Sequence, residues 1–455
     1  MKKRKNNFKK VSYFSKTPIF PSFSFLLTTV IFIIGLAAFT INYFSHSNVL
    51  QFFYSLLFLT MSIYFFKNWI SLRKKYNSSP LKKLKRFIKD NKLYEEEIRE
   101  VGINGNGRVK KTKAIVNSAY FLYKTTDNDE LIIRALKKAD KFSDKANSYD
   151  TLLCALFGLP LYKKFNEVQY CDYVFELIPD KRIMVTDSSR NTSNYKIQIT
   201  SKINWEIGSP PHILISGSTG SGKTSLVNTL ILDYLSKGAK LFIADPKSAD
   251  LATIGRIIDK EHTATTENEI AKLLREAHEE MERRYKEWFA EQDSFGKTWK
   301  DIDGAKPFLV VFDEYAIFSA ISTPKIVKEV QNYLYSLVLK SRQVGGEICI
   351  LLQRPDASIL NGSLRDNFGV RIGLSNMTDD GRRMLFGSSD MEYKSIKEIG
   401  GGYILIDGQN NNLPIYFETP LIPKGYNLLD DLQNISKQNT PTATSKSIEI
   451  GRRTP

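Results

Sequence analysis

The segment His212–Ser216, HILIS, runs directly into Gly217-Ser218-Thr219-Gly220-Ser221-Gly222-Lys223-Thr224, a complete G-x-x-x-x-G-K-T. A helical pattern follows from Lys223 to about Leu235 and stops before Gly238. An apolar strand, a glycine-rich turn and a helix in that order constrain the fold more tightly than any other feature of the chain. The glycines let the backbone curl so that its N–H groups face phosphate oxygens, and the helix start adds the positive end of its dipole. In such a loop Lys223 reaches the β- and γ-phosphates and Thr224 coordinates Mg2+, so ATP and Mg2+ are the expected ligands. A chance glycine turn would lack the flanking strand and helix.

A second piece lies about 90 residues on: Phe308-Leu309-Val310-Val311-Phe312, a buried-strand pattern, ends in Asp313-Glu314. Two carboxylates at the carboxyl tip of such a strand suit two tasks. Asp313 is expected to hold the magnesium shell, and Glu314 to orient or deprotonate an attacking water. A third strand pattern, Glu347–Leu352, ends in Gln353-Arg354-Pro355. Gln353 would lie between the P-loop and the Asp313 strand, where an amide senses the γ-phosphate. A fourth, Lys240–Ala244, ends in Asp245-Pro246-Lys247. Strands alternating with amphipathic helices from about residue 201 to 427 read as a parallel α/β sheet, whose ligand chemistry gathers at the carboxyl ends of the strands.

The N-terminal region has a different character. No Asp, Glu, Lys or Arg occurs between Lys16 and Lys67, and two apolar runs, about 23–44 and 49–66, fill that gap around the turn Ser45–Asn48. Each approaches the ~20 residues that cross a bilayer core. Of the 65 Lys and Arg in the chain, 18 fall in the first 100 residues against 5 Asp and Glu, although the whole chain has a net charge of +16. The basic excess therefore flanks the apolar runs. By the positive-inside rule it places residues 1–22 and everything after the hairpin in the cytoplasm, giving a multi-pass cell-membrane protein. A cleaved signal peptide fits poorly, because the first run is long and a second follows at once.

Residues 67–200 read as a basic juxtamembrane helix followed by a small α+β domain. It has strand patterns at Ala114–Tyr123, Tyr170–Ile178 and Tyr195–Ile199, and helical patterns at Asn128–Lys141 and Tyr149–Leu156. Gly102–Gly107 is turn chemistry and not a dinucleotide loop, because no apolar strand leads into it. Three well-separated cysteines, Cys154, Cys171 and Cys349, exclude a disulfide framework or zinc module and suit a reducing compartment. The polar segment 428–455 reads as a flexible tail.

With these residues in view, the chain resembles the FtsK/SpoIIIE family of DNA-pumping ATPases over roughly residues 180–410. The resemblance rests on PHILISGSTGSGKTS (Pro211–Ser225), IADPKSADL (Ile243–Leu251), EEMERRY (Glu279–Tyr285), FLVVFDEYA (Phe308–Ala316) and LLQRPDASIL (Leu351–Leu360). It implies a RecA-like motor that assembles as a homo-hexameric ring around DNA. Lys223, Thr224, Asp313, Glu314 and Gln353 would carry its ATPase roles. It also implies an arginine finger from a neighbouring subunit, for which Arg342 and Arg371 are candidates. Too few residues follow the motor here for the winged-helix domain of chromosome-segregating members, and the anchor is a hairpin. Both traits resemble the TcpA-type coupling proteins of conjugative elements. The expected function is thus a membrane-anchored DNA translocase that couples a relaxase to a type IV secretion-like mating channel. Chromosome segregation and type VII protein secretion are the alternatives. Lys325, Lys328 and Arg365 are the candidate DNA contacts.

Overall fold

A computed structural model describes residues 7–439, apart from 17–21, 45–52, 54–55, 62, 65, 68, 71–78, 104–108, 128, 179–181, 186–194, 292–293, 356–361 and 388–392. The chain divides into two compact units, Met1–Ile178 and Pro179–Pro455, so the boundary falls upstream of the expected residue 201.

In the first unit, β1 (Lys9–Val11), β4 (Phe121–Thr125), β5 (Glu130–Leu136), β7 (Tyr170–Glu176) and β6 (Leu161–Asn166) form one antiparallel sheet in that order. Helices Pro80–Asp90 and Asp150–Phe157 supply Leu84, Phe87, Ile88 and Leu153 to a core with Phe121, Ile133, Tyr173 and Phe175. Separately, β2 (Tyr94–Ile103) and β3 (Val109–Ser118) pair as an antiparallel ladder. The glycine turn that joins them falls partly outside the described residues.

Two expectations are corrected here. Asn128–Lys141, expected to be helical, contains strand β5. Its burial alternates with period two, and Leu131, Ile133 and Ala135 point to the core. The apolar spacing ELIIRAL fits both periods, and pairing with two neighbours selects the strand. The single strand expected over Ala114–Tyr123 is two, because the chain changes sheet at Ala119–Tyr120.

The first apolar run is the helix Ser22–Phe44. It exposes Leu27, Val30, Ile33, Ile34, Leu36 and Ile41, and Phe32 stacks on Phe66 of the second run at 5.3 Å between ring centroids. The Ser45–Asn48 turn and much of the second run lie outside the described residues. Among the described residues, no helix is long and apolar enough to cross a membrane.

The second unit is built on an eight-stranded sheet in the order β12-β11-β13-β14-β10-β15-β16-β17. Its strands are β10 (Ile213–Gly217), β11 (Lys240–Ala244), β12 (Thr263–Ala264), β13 (Phe308–Phe312), β14 (Gly346–Leu352), β15 (Val370–Leu374), β16 (Gly401–Ile406) and β17 (Ile415–Glu418). A small ladder of β8 (Lys196–Gln198) and β9 (Asn204–Glu206) precedes them. From β12 to β15 all pairs are parallel, whereas β16 and β17 join antiparallel, so the sheet is mixed rather than wholly parallel. Helices cover both faces of the parallel part. Strands β10, β13 and β14 are therefore buried along their whole length, which is why they read as continuous apolar runs.

The expected flexible tail begins instead with a helix, Leu428–Asn439. Leu432 is fully buried. Ser436 Oγ donates to Ile258 O at 2.7 Å, and Asn439 Nδ2 donates to Leu235 O at 2.7 Å. Polar residues here donate to carbonyls at the ends of helices Asp250–Ile258 and Lys223–Ser236, where the helix offers fewer partners of its own, although Leu235 O also accepts the Gly238 N–H. Their polarity marks a docked cap, which composition alone cannot distinguish from a solvated tail.

Candidate nucleotide site

The P-loop leaves the central strand β10 and enters helix Lys223–Ser236. Gly220 and Gly222 take φ values of +78° and +94°, which side-chain-bearing residues rarely adopt. At Gly222 a Cβ would also lie 2.8 Å from Gly400 Cα. Lys223 bends back across the loop, its Nζ donating to Leu352 O at 3.1 Å and Gly217 O at 3.4 Å.

Because β14 separates β10 from β13, the tip of β13 presents its carboxylates to the loop from two strands away. Glu314 starts the next helix with φ +47° and ψ +62°, a left-handed conformation that costs a non-glycine residue on the order of 1–3 kcal/mol. Its carboxylate is only 5% exposed. Oε2 stands 3.7 Å from Lys223 Nζ and 3.5 Å from Lys247 Nζ, with no hydrogen-bond partner of its own among the described residues. Oε1 accepts the Gln353 backbone N–H at 3.2 Å. Asp313 lines the same cavity as Ser218, Thr219, Gly220, Lys223 and Thr224, a space of about 410 Å³.

Burial disfavours charge at both key groups. It lowers the Lys223 ammonium from its usual range, opposed by Glu314 and Asp313. It raises the Asp313 carboxyl, opposed mainly by Lys223. The donor set suits a divalent cation shared with phosphates, because Mg2+ is usually held by one or two carboxylates together with its substrate. Among the described residues no cluster of three or more His, Cys, Asp or Glu offers an alternative metal cage. Thr224 and Asp313 are the residues that would hold it.

Gln353 follows β14, between the two motif strands, and lines the cavity. Its backbone N–H meets the site by donating to Glu314 Oε1. Arg342 stands before β14, at the sheet edge opposite the P-loop, where Nε donates to Gly208 O at 3.1 Å. As a finger it would have to serve another subunit. The Arg371 guanidinium pairs with Asp407 at 2.8 Å within the chain, a structural engagement that a finger role would have to break or share. Arg365 is likewise engaged, donating to Met384 O at 2.8 Å, whereas Lys325 and Lys328 are exposed. In EEMERRY, Arg284 is buried and donates to Lys306 O and Val344 O, so this helix motif secures the sheet edge.

Lys247 and Asp245 were not assigned roles from the sequence. Asp245 is fully buried and accepts the backbone N–H groups of Lys247, Ala249 and Ala252, which shapes the loop that presents Lys247. The signal was present in Asp245-Pro246-Lys247 at a strand tip, but the sequence did not show that Lys247 meets Glu314.

A model of the FtsK/SpoIIIE family matches residues 181–387. The FtsK domain-containing protein YdcQ of Bacillus subtilis is 30% identical over 364 residues, covering 77% of this chain and 72% of YdcQ. DNA translocase FtsK of Streptococcus pneumoniae is 30% identical over 226 residues, covering 43% of this chain but 28% of that protein. Among solved structures, the pCW3 conjugation coupling protein TcpA aligns with 18% identity and a TM-score of 0.47, covering 74% of this chain and 94% of TcpA.

Proposed function

Because the chain belongs to the FtsK/SpoIIIE family, we propose that it is an ATP-driven DNA translocase that serves as the coupling motor of a conjugative transfer system. The observation that carries the motor reading is that Lys223 and Asp313 line one cavity at the carboxyl edge of the sheet, with Glu314 Oε2 3.7 Å from Lys223 Nζ.

In this mechanism the P-loop N–H groups and Lys223 bind and orient the triphosphate of ATP. Thr224 and Asp313 would hold a divalent cation, which would neutralise phosphate charge when bound. Glu314 Oε2 orients the attacking water and takes its proton, and the Gln353 backbone fixes that carboxylate through Oε1. Low solvent access around Glu314 strengthens each of these electrostatic contacts.

Two observations support the finer reading. Similarity to YdcQ extends over 364 residues, well beyond the matched motor region. The two apolar runs of the sequence, about 23–44 and 49–66, flanked by basic residues, suit an anchor at the cell membrane with the motor in the cytoplasm. A homo-hexameric ring, DNA, a relaxase and a mating channel are the partners this role entails.

ATPase assays with and without DNA test the motor. DNA-stimulated turnover is expected, and stimulation only by a secreted protein would overturn the DNA reading. The conjugative role predicts that Lys223→Ala reduces transfer of the host element to background while leaving chromosome segregation intact. The reverse pattern would refute it.

A further inference from the structure

Ile399 is 73% exposed, yet it borders the cavity that holds the P-loop. A large apolar side chain left open beside a phosphate cradle has a face available to cover apolar surface of a ligand.

Its position is rigidly built. Gly400 N–H donates to Ser221 O at 2.9 Å, tying the Ile399 turn to the P-loop backbone. Gly400 O accepts the Thr419 N–H at 2.8 Å. Arg182 closes the arrangement: Nη2 donates to Ile399 O at 2.5 Å, Nε donates to Thr419 O at 3.1 Å, and Nε lies 3.3 Å from the Glu418 carboxylate. One guanidinium thus fixes the carbonyl of the exposed residue and the end of β17, the strand paired with β16.

Direction along the site agrees. The carboxylates that face the γ-phosphate follow β13, whereas Ile399 precedes β16, and β14, β10 and β15 lie between those strands. A nucleotide with its γ-phosphate toward Asp313 carries its base away from β13, toward the side on which Ile399 stands. Glycine at 222 is required there too, since an added Cβ would lie 2.8 Å from Gly400 Cα, the residue next to Ile399.

We propose that Ile399 is the platform on which the adenine base of ATP lies, and that Arg182 is the positioning residue that holds this platform against the P-loop. The assignment rests on the cavity being the ATP site. It predicts that base affinity and phosphate affinity are separable.

The test uses the full chain and three variants, Ile399→Ser, Arg182→Ala and Arg182→Lys. KM and kcat are measured for ATP, together with inhibition by inorganic tripolyphosphate, which has the phosphates without the base. Ile399→Ser is expected to raise KM about tenfold, the loss of one apolar contact face, with kcat within about twofold and tripolyphosphate inhibition unchanged. Arg182→Ala is expected to raise KM in the same selective way, with partial recovery in Arg182→Lys. An unchanged KM in Ile399→Ser overturns the proposal. So does a parallel loss of tripolyphosphate inhibition, which would mean that Ile399 merely supports the loop. If the parent chain hydrolyses no ATP, the motor reading fails. Equilibrium binding of ATP against tripolyphosphate then still decides whether Ile399 contacts a base.

Discussion

Two carboxylates at opposite ends of the same sheet are almost equally buried, yet the chain uses them in opposite ways. Glu314, after the carboxyl end of β13, is 4% exposed and faces two lysines. Glu347, at the amino end of β14, is fully buried, makes no ion pair among the described residues, and accepts the Gly208 N–H at 3.2 Å. Burial pushes the Glu347 carboxyl up to about 7. Nearby, buried His212 donates from Nε2 to Val338 O and accepts the Ile348 N–H at Nδ1, a neutral ring that burial lowers to about 4. One end of the sheet sets its buried carboxylate beside two lysines, and the other buries one with no ion partner among the described residues. Burial alone therefore does not mark a candidate catalytic carboxylate; the neighbouring pair of lysines is what sets Glu314 apart from Glu347.

The largest expected effect falls at the charged end. Lys223→Ala should abolish measurable ATP turnover, a loss of at least about a hundredfold on the scale of removing one preorganised electrostatic contact. Retained turnover would place the chemistry elsewhere. Glu314→Gln should still bind ATP but slow hydrolysis by roughly 10²–10⁴-fold, the usual contribution of a positioned base. Full turnover by this variant would make Glu314 as structural as Glu347.

Glu347→Gln tests the other end through stability. A carboxyl raised from 4.5 to about 7 binds its proton more tightly in the folded state, so stability falls as pH rises through that window. The full difference is about 3 kcal/mol. Unfolding of the parent chain followed from pH 4.5 to 8 should show that decline, and Glu347→Gln should flatten it. An unaltered slope would mean that Glu347 is charged in the folded protein.

Smaller effects should separate the two arginines. Arg371→Ala breaks a partly exposed pair with Asp407 and should lower stability by about 1–2 kcal/mol with turnover per folded molecule retained. Arg342→Ala should do the reverse, lowering turnover of the assembled protein with little change in its melting temperature. Equal losses of turnover in both variants would dissolve the distinction.

Much of the charged end was legible in the sequence, and much of the packed end was not. The P-loop, the β13 tip and Gln353 announce themselves because strand, turn and helix are consecutive there. Each role follows from position at a strand end. The strand β5 was misread because its apolar spacing fits two periods, and the Leu428–Asn439 helix because polarity resembles solvation. The sequence offered Arg371 as a candidate finger but could not show that Asp407 stands beside it.

The order of motifs by itself determined a phosphate-binding loop, two carboxylates at a buried strand tip and an α/β sheet to hold them, since local backbone geometry is encoded by neighbouring residues. Only the tertiary structure decided that Lys247 stands beside Glu314, that Glu347 lies fully buried, and that Ile399 sits on the P-loop under a clamp from Arg182, 217 residues away. Those juxtapositions depend on which strands become neighbours. Strand order is a property of the packed sheet, carried by no single stretch of chain.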